Sequence, residues 1–517
     1  MFLIRVLVAA APVLALLGGI LWLRWRAFRA AALAWLIAVT GAMALFGAGP
    51  VLLASASAKG LSLALLVMLI VWAAVFLYSL ADDLGAVKVI ARKIMSSTGD
   101  PLLLALLLAW TFSGFMQGIA GFGVPVAVVA PLMVLAGFSP VRAIAAAMIG
   151  HSWAITFGSM GSSFFTIGLV MGLDGAGLGP PLALMFFLPI LLTGLSVAHI
   201  AAGWSGVRRA APLVLVAAAA MDALMWLLNV LGAAPVSSML PGLLGTLILW
   251  GAGRTSLYKA PAAPNHDLRS DRLSFRWAFL PYALLTVFSI TAQVPAVKAH
   301  ASGLRFALAY PAQTTAQGFA VSASAAYAPI QLVGHPAPLL LLSALVTFLV
   351  YSRRDLWKPG AAGRAWQATV RQTTGTTVAV SLMVMMALVI ADSGMAAVLA
   401  QAAETLGRRL YLLAAPFIGL LGAFVTGSNT NSNVMFGPLQ LYASRALALS
   451  TVLVAAAQTL GGSIGSGVAP DKALIGVSVV GQGIGEGEVM RHALPYGLLC
   501  VLVIGLEVLV VGILGVR

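Results

Sequence analysis

Six consecutive polar side chains, Ser428-Asn429-Thr430-Asn431-Ser432-Asn433, stand inside an otherwise apolar stretch of the chain. They offer hydroxyls and carboxamides that both donate and accept hydrogen bonds. In hydrocarbon such groups, and any unwound backbone around them, are costly unless they meet partners. The run therefore predicts a wet, protein-lined cavity with something to bind. A second block, Gly114 to Pro125 (GFMQGIAGFGVP), places glycines and Gln117 in the middle of another apolar run. Close helix packing by small residues accounts equally well for a pair such as Gly121 and Gly123, but not for six polar residues in a row.

Ionisable groups within apolar runs are the other carriers of chemistry. Asp392 (LVIADSG), Asp222 and Glu507 lie in apolar surroundings, and Asp471-Lys472 follows a Gly/Ser-rich segment. Asp392 and Asp471 are candidates for coupling to an ion, whereas Asp222 and Glu507 read as groups near a helix end or paired at a protein interface. His151, in Gly150-His151-Ser152-Trp153, titrates in the useful range and is a third coupling candidate. The other histidines show no ligand spacing and the single Cys500 lies in an apolar run, so no cofactor, metal site or cysteine chemistry is expected.

The elements that must hold these residues follow from composition. Of 517 residues, 61% are hydrophobic and 8% charged, against about a quarter charged in soluble domains. A soluble globular enzyme is excluded. Runs such as Leu61 to Leu80 are continuous over the ~20 residues that a helix needs to cross a bilayer, without the alternation of a transmembrane β-barrel. The expected fold is an all-α polytopic membrane protein with roughly 12 to 14 membrane-embedded helices. Phe2 to Leu23 reads as a retained first span rather than a cleaved leader.

The 29 Lys and Arg against 14 Asp and Glu give a net charge of +15, but the basic residues fall in loops, which argues for topology and against a nucleic-acid partner. Four clusters mark the cytoplasmic side: Arg24, Arg26 and Arg29; Lys88, Arg92 and Lys93; Arg254, Lys259, Arg269, Arg272 and Arg276; and Arg353, Arg354, Lys358, Arg364 and Arg371. The N-terminus is then outside, and spans near 31–54 and 61–80 join the first two clusters. The polar, Pro-containing stretch 254–276 reads as a cytoplasmic linker between an N-terminal half, 1–253, and a C-terminal half, 277–517. Residues 298–335, rich in Ala, Ser and Thr, read as a partly embedded or surface-lying segment.

The halves share a pattern. Phe115 and Gly118 match Phe424 and Gly427 at one offset, Pro131-Leu132 matches Pro438-Leu439, and Gly158-Ser-Met-Gly-Ser162 matches Gly462-Ser-Ile-Gly-Ser466. Matches in the same order at nearly constant offset indicate an internal repeat, with broken segments 114–162 and 422–472. Half-helices are expected to begin after Gly118 to Gly123 and after Thr426 to Ser432. The first break follows a cytoplasmic loop and the second an outer one, so the repeats are inverted, the arrangement of secondary transporters with alternating access.

At these motifs the chain resembles the L-lactate permease family of bacterial monocarboxylate transporters. The resembling blocks are Phe115 to Ala127, Phe157 to Gly161, Phe424 to Phe436 and Leu460 to Val489 with Lys472. The resemblance implies proton-driven import of L-lactate, D-lactate or glycolate across the cytoplasmic (inner) membrane, and inverted repeats with re-entrant hairpins. Ser428-Asn429-Thr430 is similar to the hairpin-tip sequence that, in a sodium–dicarboxylate branch of the wider group, binds the substrate carboxylate and sodium. Family members usually carry Glu where this chain has Gln117 and Asp where it has Asn429, so here the coupling proton is carried elsewhere or the ion or substrate differs.

A small carboxylate asks for N–H donors, hydroxyls and the positive end of a helix dipole. The expected substrate-binding set is Gln117, Gly118, Gly121, Gly123, Ser159, Ser162, Ser428, Asn429, Thr430, Asn431, Asn433, Ser463, Ser466 and Lys472, with Asp392, Asp471 and His151 for coupling. The leading expectation is a proton symporter of a small 2-hydroxy-monocarboxylate. The alternatives are sodium-coupled transport of a dicarboxylate or sulfonate, then a channel or a membrane-embedded enzyme. An ATP-driven pump is disfavoured because no phosphate-binding G-x-x-x-x-G-K-[ST] loop is present.

Overall fold

The computed structural model describes residues 1–121, 123–256, 258, 273–294, 296–297, 303–331, 335–481 and 483–515. Among them, ten helices are long and apolar enough to cross a membrane, or eleven if the bent pair Pro140–Ala154 and Gly158–Met171, at 52° to each other, is one span. Three shorter apolar helices, Val124–Leu135, Met239–Ala252 and Phe275–Thr291, accompany them. The protein is therefore polytopic and helical, its apolar length divided unevenly between long and half-length helices. The 44-residue helix Phe187–Val230 is broken at Ala202 (φ −142°) and Gly203 (φ 64°, ψ −158°). Beyond the break Gly206 lies against the Ala198 carbonyl, and Gly194 lies against Val214. The two parts thus pack as an antiparallel pair. The spans expected near 31–54 and 61–80 are instead Ala27–Phe46 and Pro50–Asp83, divided by Gly47 (φ 65°) and the helix-starting Pro50.

Burial separates centre from periphery. The most apolar windows of Pro101–Ile119 and Thr451–Val480 are 100% and 94% buried, whereas those of Phe2–Leu21 and Glu486–Ile513 are 28% and 33%. Pro101–Ile119 and Thr451–Val480 are thus at the centre, and Phe2–Leu21 and Glu486–Ile513 present their sides to the surroundings.

The described residues of the basic clusters share one end of the molecule. Arg26 and Arg371 line one vestibule. Arg364 grips both oxygens of Asp83 at 2.8 Å, and Lys358 Nζ donates to the Asp83 carbonyl at 2.7 Å. Arg209 pairs with Asp100, and Tyr258 donates to the Arg209 carbonyl. The linker expected at 254–276 lies mostly outside the described residues.

The opposite end carries the segment expected to lie on the surface. Its described part is not helical: Arg305–Tyr310 pairs antiparallel with Ser324–Gln331, and Gln313–Thr314 with Ala320–Val321. The tip sits on the turn between the second and third helices, Ala316 N–H donating to the Gly47 carbonyl at 2.8 Å and Gln317 to the Leu45 carbonyl at 2.7 Å. Below it Tyr310 Oη is 2.7 Å from Ser62 Oγ, and Lys59 is bound to Asp392 at 3.0 Å.

The repeat appears as helix, break, helix, turn, helix, first over Pro101–Ile119, Val124–Leu135 and Pro140–Gly150, then over Gly407–Thr426, Asn429–Ala446 and Thr451–Gly467. In each copy the third helix lies directly on the first: a Cβ on Gly150 would strike the Ala109 carbonyl, and one on Gly461 the Pro416 carbonyl. The structure thus matches Gly150 with Gly461, not Gly158 with Gly462. The leading helix of the first copy starts beside Asp100 at the basic end. That of the second follows Ala361–Asp392, which runs from Arg364 at the basic end to the Lys59 pair at the other. The intervening Met395–Glu404 has ten residues, about 15 Å of helix, too little to cross back. The two copies enter from opposite ends.

Candidate functional site

The two breaks meet at a cavity of about 40 Å³ lined by Gln117, Gly121, Ile155, Ser159, Ser162, Ser163, Gly427, Ser428, Asn429, Thr430, Ser466 and Lys472. A water needs ~10–15 Å³ on a comparable measure, so the space suits a small solute. Gly427, Ser428 and Lys472 also line a vestibule of about 430 Å³, whose other walls include Arg26, Arg371, Gln372, Thr376, Asn431 and Asp471. Positions 371/372, 375/376 and 379 recur along one face of Ala361–Asp392. The vestibule thus leads from the basic end to the cavity.

In the first half the chain leaves the helix at Ala120 (φ −141°) and restarts at Val124 after Gly123 (φ 82°), with Pro125 in the first turn. The Gly121 N–H, freed by the break, donates to Ser159 Oγ at 2.8 Å. Ser159, Met160 and Gly161 are themselves left-handed, with φ of 46°, 57° and 79°, so one unwound segment satisfies the other.

In the second half the break is shorter than expected. Gly427 (φ 70°) closes one helix and Ser428 caps the next, its Oγ accepting the Asn431 N–H at 3.3 Å. The helix begins at Asn429, not after Ser432: the polar run is a cap and a first turn, with the positive end of the dipole at the cavity. Nor is Gly462–Ser466 a break. It lies inside Thr451–Gly467, and the chain leaves the helix at Val468 and Ala469.

Hydrogen bonds tie the halves together here. Asn429 Nδ2 donates to Thr156 Oγ1 at 3.0 Å and to the Thr459 carbonyl and Oγ1, each at 3.1 Å. Asn433 Nδ2 donates to the Ser163 carbonyl at 3.1 Å and to Thr459 Oγ1 at 3.0 Å, and Ser163 and Thr430 share a bond of 2.9 Å. The Oδ1 atoms of Asn429, Asn431 and Asn433 are buried without a protein partner; Asn429 lines the cavity and Asn431 the vestibule, where a carboxamide oxygen can accept from a hydroxyl or bind a cation. Lys472 Nζ donates to Asp471 Oδ2 at 2.7 Å and to the Gly427 carbonyl at 3.1 Å, which also accepts Ser466 Oγ at 3.0 Å.

Of the expected substrate residues, Gln117, Gly121, Ser159, Ser162, Ser428, Asn429, Thr430, Ser466 and Lys472 line the cavity, and Asn431 lines the vestibule. The others lie elsewhere. Gly118 is a packing residue, where a Cβ would come within 2.5 Å of the Met239 backbone nitrogen. Gly123 makes room for Ile475, and Ser463 bridges the Ser152 carbonyl at 2.7 Å and the Thr156 N–H at 3.3 Å. Asn433 is fully buried behind the first turn.

Among the coupling candidates Asp471 is in the vestibule, beside the cavity. Asp392 is at the other end, held by Lys59. His151 is fully buried at the end of Pro140–Gly150; its Nδ1 lies 2.6 Å from the Ala147 carbonyl and its Nε2 has no partner. Sequence reasoning missed Thr156, Ser163 and Thr459, which look like ordinary helix hydroxyls, and Arg26 and Arg371, read only as topology markers. Lys59 was missed too, although a lone cation in an apolar run is a signal that could have found it.

The chain has relatives among known proteins. The family described as L-lactate permease matches residues 5–514. The chain is similar to the L-lactate permease of Escherichia coli strain K12, 28% identical over 96% of this chain and 94% of that protein. It is also similar to the L-lactate permease of Salmonella typhimurium, 29% identical over 84% and 82%, and to the glycolate permease GlcA of Escherichia coli strain K12, 26% identical over 84% and 83%. Among solved structures it is similar to the YdaH transporter of Alcanivorax borkumensis, 17% identical with a TM-score of 0.45 over 86% of this chain and 85% of that one. The chain belongs to the L-lactate permease family.

Proposed function

We propose that this protein carries L-lactate or glycolate across the bacterial cytoplasmic membrane by proton symport, the two inverted repeats giving the site alternating access to each side. The observation that carries the reading is the cavity itself: two helix breaks, a helix N-terminus and one buried ammonium converge on a space for a small solute. The ammonium and the dipole suit a carboxylate, and the unpartnered amide oxygens suit a 2-hydroxyl. Arg26 and Arg371 in the vestibule would raise the local anion concentration. The basic end is the cytoplasmic one on the positive-inside rule, which puts the vestibule inside and the N-terminus outside. Residues 1–253 and 277–517 would each supply one repeat, and the substrate class follows the names of the relatives.

The test is uptake of labelled lactate and glycolate into proteoliposomes under an imposed pH gradient. Accumulation above equilibrium is expected in the wild type, and Asn429→Ala should reduce it at least about tenfold by removing three hydrogen bonds that hold the halves at the cavity. Downhill flux alone would point to a channel. Sodium coupling is a second reading, favoured by the unpartnered amide oxygens of Asn429, at the cavity, and Asn431, at the vestibule; accumulation driven by a sodium gradient and not by a pH gradient would establish it.

A further inference from the structure

Lys472 and Asp471 are adjacent in sequence, bound to each other, and differently placed. The Lys472 side chain is 5% exposed and lines both the cavity and the vestibule, while Asp471 is 48% exposed and lines the vestibule alone. Gly427 leaves space for the carboxylate, since a Cβ there would lie 2.5 to 2.8 Å from its three atoms. Among the described residues no other carboxylate lines either space. Arg26 and Arg371 face the pair across the vestibule, and the field of Lys472 reaches His151. Of the helices packed against Pro470–Val480, Val124–Leu135 has no ionisable residue and Pro140–Gly150 has Arg142. Glu486–Ile513 has Glu486, Glu488, Arg491, His492 and Glu507, none of which lines either space.

Resting on the transport reading above, we propose that the substrate carboxylate takes the place of Asp471 on the Lys472 ammonium, and that the released Asp471 carboxylate carries the coupling proton. The exchange balances. Lys472 keeps its charge and trades an N–H···O bond to Asp471 for one to the substrate, while Asp471 forms an O–H bond with a proton delivered by hydronium from the side that supplies the substrate and gives it back to water with substrate release on the other side. Before binding, the pair is neutral. An anion entering alone would leave Asp471 without the ammonium that held it, a half-exposed carboxylate facing Arg26 and Arg371 across the vestibule; an anion entering with one proton leaves the net charge of the site unchanged. Gln117 and Asn429 supply hydrogen bonds that do not titrate, so this scheme needs no acid at either position.

The test is Asp471→Asn in the full-length reconstituted protein, read by lactate binding as a function of pH, by counterflow exchange and by pH-driven accumulation. In the wild type lactate binding should tighten on acidification, by up to about tenfold per pH unit for one linked proton. In Asp471→Asn, binding should be tight and independent of pH, exchange should persist, and accumulation driven by the pH gradient should be lost. Lys472→Gln should weaken binding at every pH. Retained pH-driven accumulation in Asp471→Asn, or loss of exchange along with accumulation, overturns the proposal. A wild type that carries neither lactate nor glycolate would instead overturn the transport reading itself.

Discussion

Gly158-Ser159-Met160-Gly161-Ser162 and Gly462-Ser463-Ile464-Gly465-Ser466 differ in one side chain and fold in opposite ways. The first is left-handed at three successive residues and brings Ser159 and Ser162 to the cavity; the second is an uninterrupted part of a helix and brings only Ser466 there. The difference lies in what surrounds each. Gly461 and Gly465 lie against the carbonyls of Pro416 and Leu420, so the second segment gains its packing by staying helical. Beside the first segment, the break at Ala120 frees the Gly121 N–H, which only an unwound Ser159 reaches. Left-handed Ser159 and Met160 each cost about 1–2 kcal/mol, a strain that persists because the surroundings over-determine it. Glycine in this protein thus serves two purposes, close approach and backbone reversal.

The largest effect should come from filling the packing glycine. Gly461→Leu drives side-chain atoms into the Pro416 carbonyl, which cannot move aside, and should cost about 3 kcal/mol or the folded protein altogether. Gly161→Ala meets mainly backbone strain, about 1 kcal/mol. Thermal unfolding and size-exclusion profiles in detergent check both, and equal effects would erase the distinction between the segments.

The serines sharpen it further. Ser463→Ala leaves a buried carbonyl and N–H without their partner, and should cost about 2 kcal/mol with the substrate KM unchanged. Ser159→Ala should cost about 1 kcal/mol and raise KM, because its hydroxyl lines the cavity. The reverse pattern would move the site to the other segment.

Making the two segments identical should change conformation least. Met160→Ile puts a β-branched residue at φ 57° and should cost about 1–2 kcal/mol, with the segment still left-handed. Ile464→Met in the helix should cost less than about 1.5 kcal/mol. An exchange of conformation, seen by cysteine accessibility or by a structure of the variant, would show that the local sequence decides after all.

Much of this protein was legible in its sequence. Length and apolarity announced helices in a bilayer, Gly and Pro marked the breaks near residues 120–123 and 427, and the polar run pointed to Ser428, Asn429 and Thr430 at the cavity and Asn431 at the vestibule. These signals are local: a run long enough to span, a glycine at positive φ and a cap at Ser428 act through near neighbours. The weak hydropathy of 298–335 excluded a clean span but did not announce antiparallel strands, whose pairing joins residues about twenty apart.

The tertiary structure alone decided the rest. It determined which of two nearly identical Gly-Ser segments unwinds, that Gly118 and Ser463 are structural, that Asp392 belongs to Lys59 at 3.0 Å across 333 residues, and that Thr156 and Thr459 join Asn429 at the centre. It also turned Arg26 and Arg371 from markers of topology into walls of a vestibule. The physical reason is range. Helices and breaks depend on residues a few positions apart, whereas an ion pair, a cavity or a stretch of strained backbone depends on which distant side chains the packing brings near.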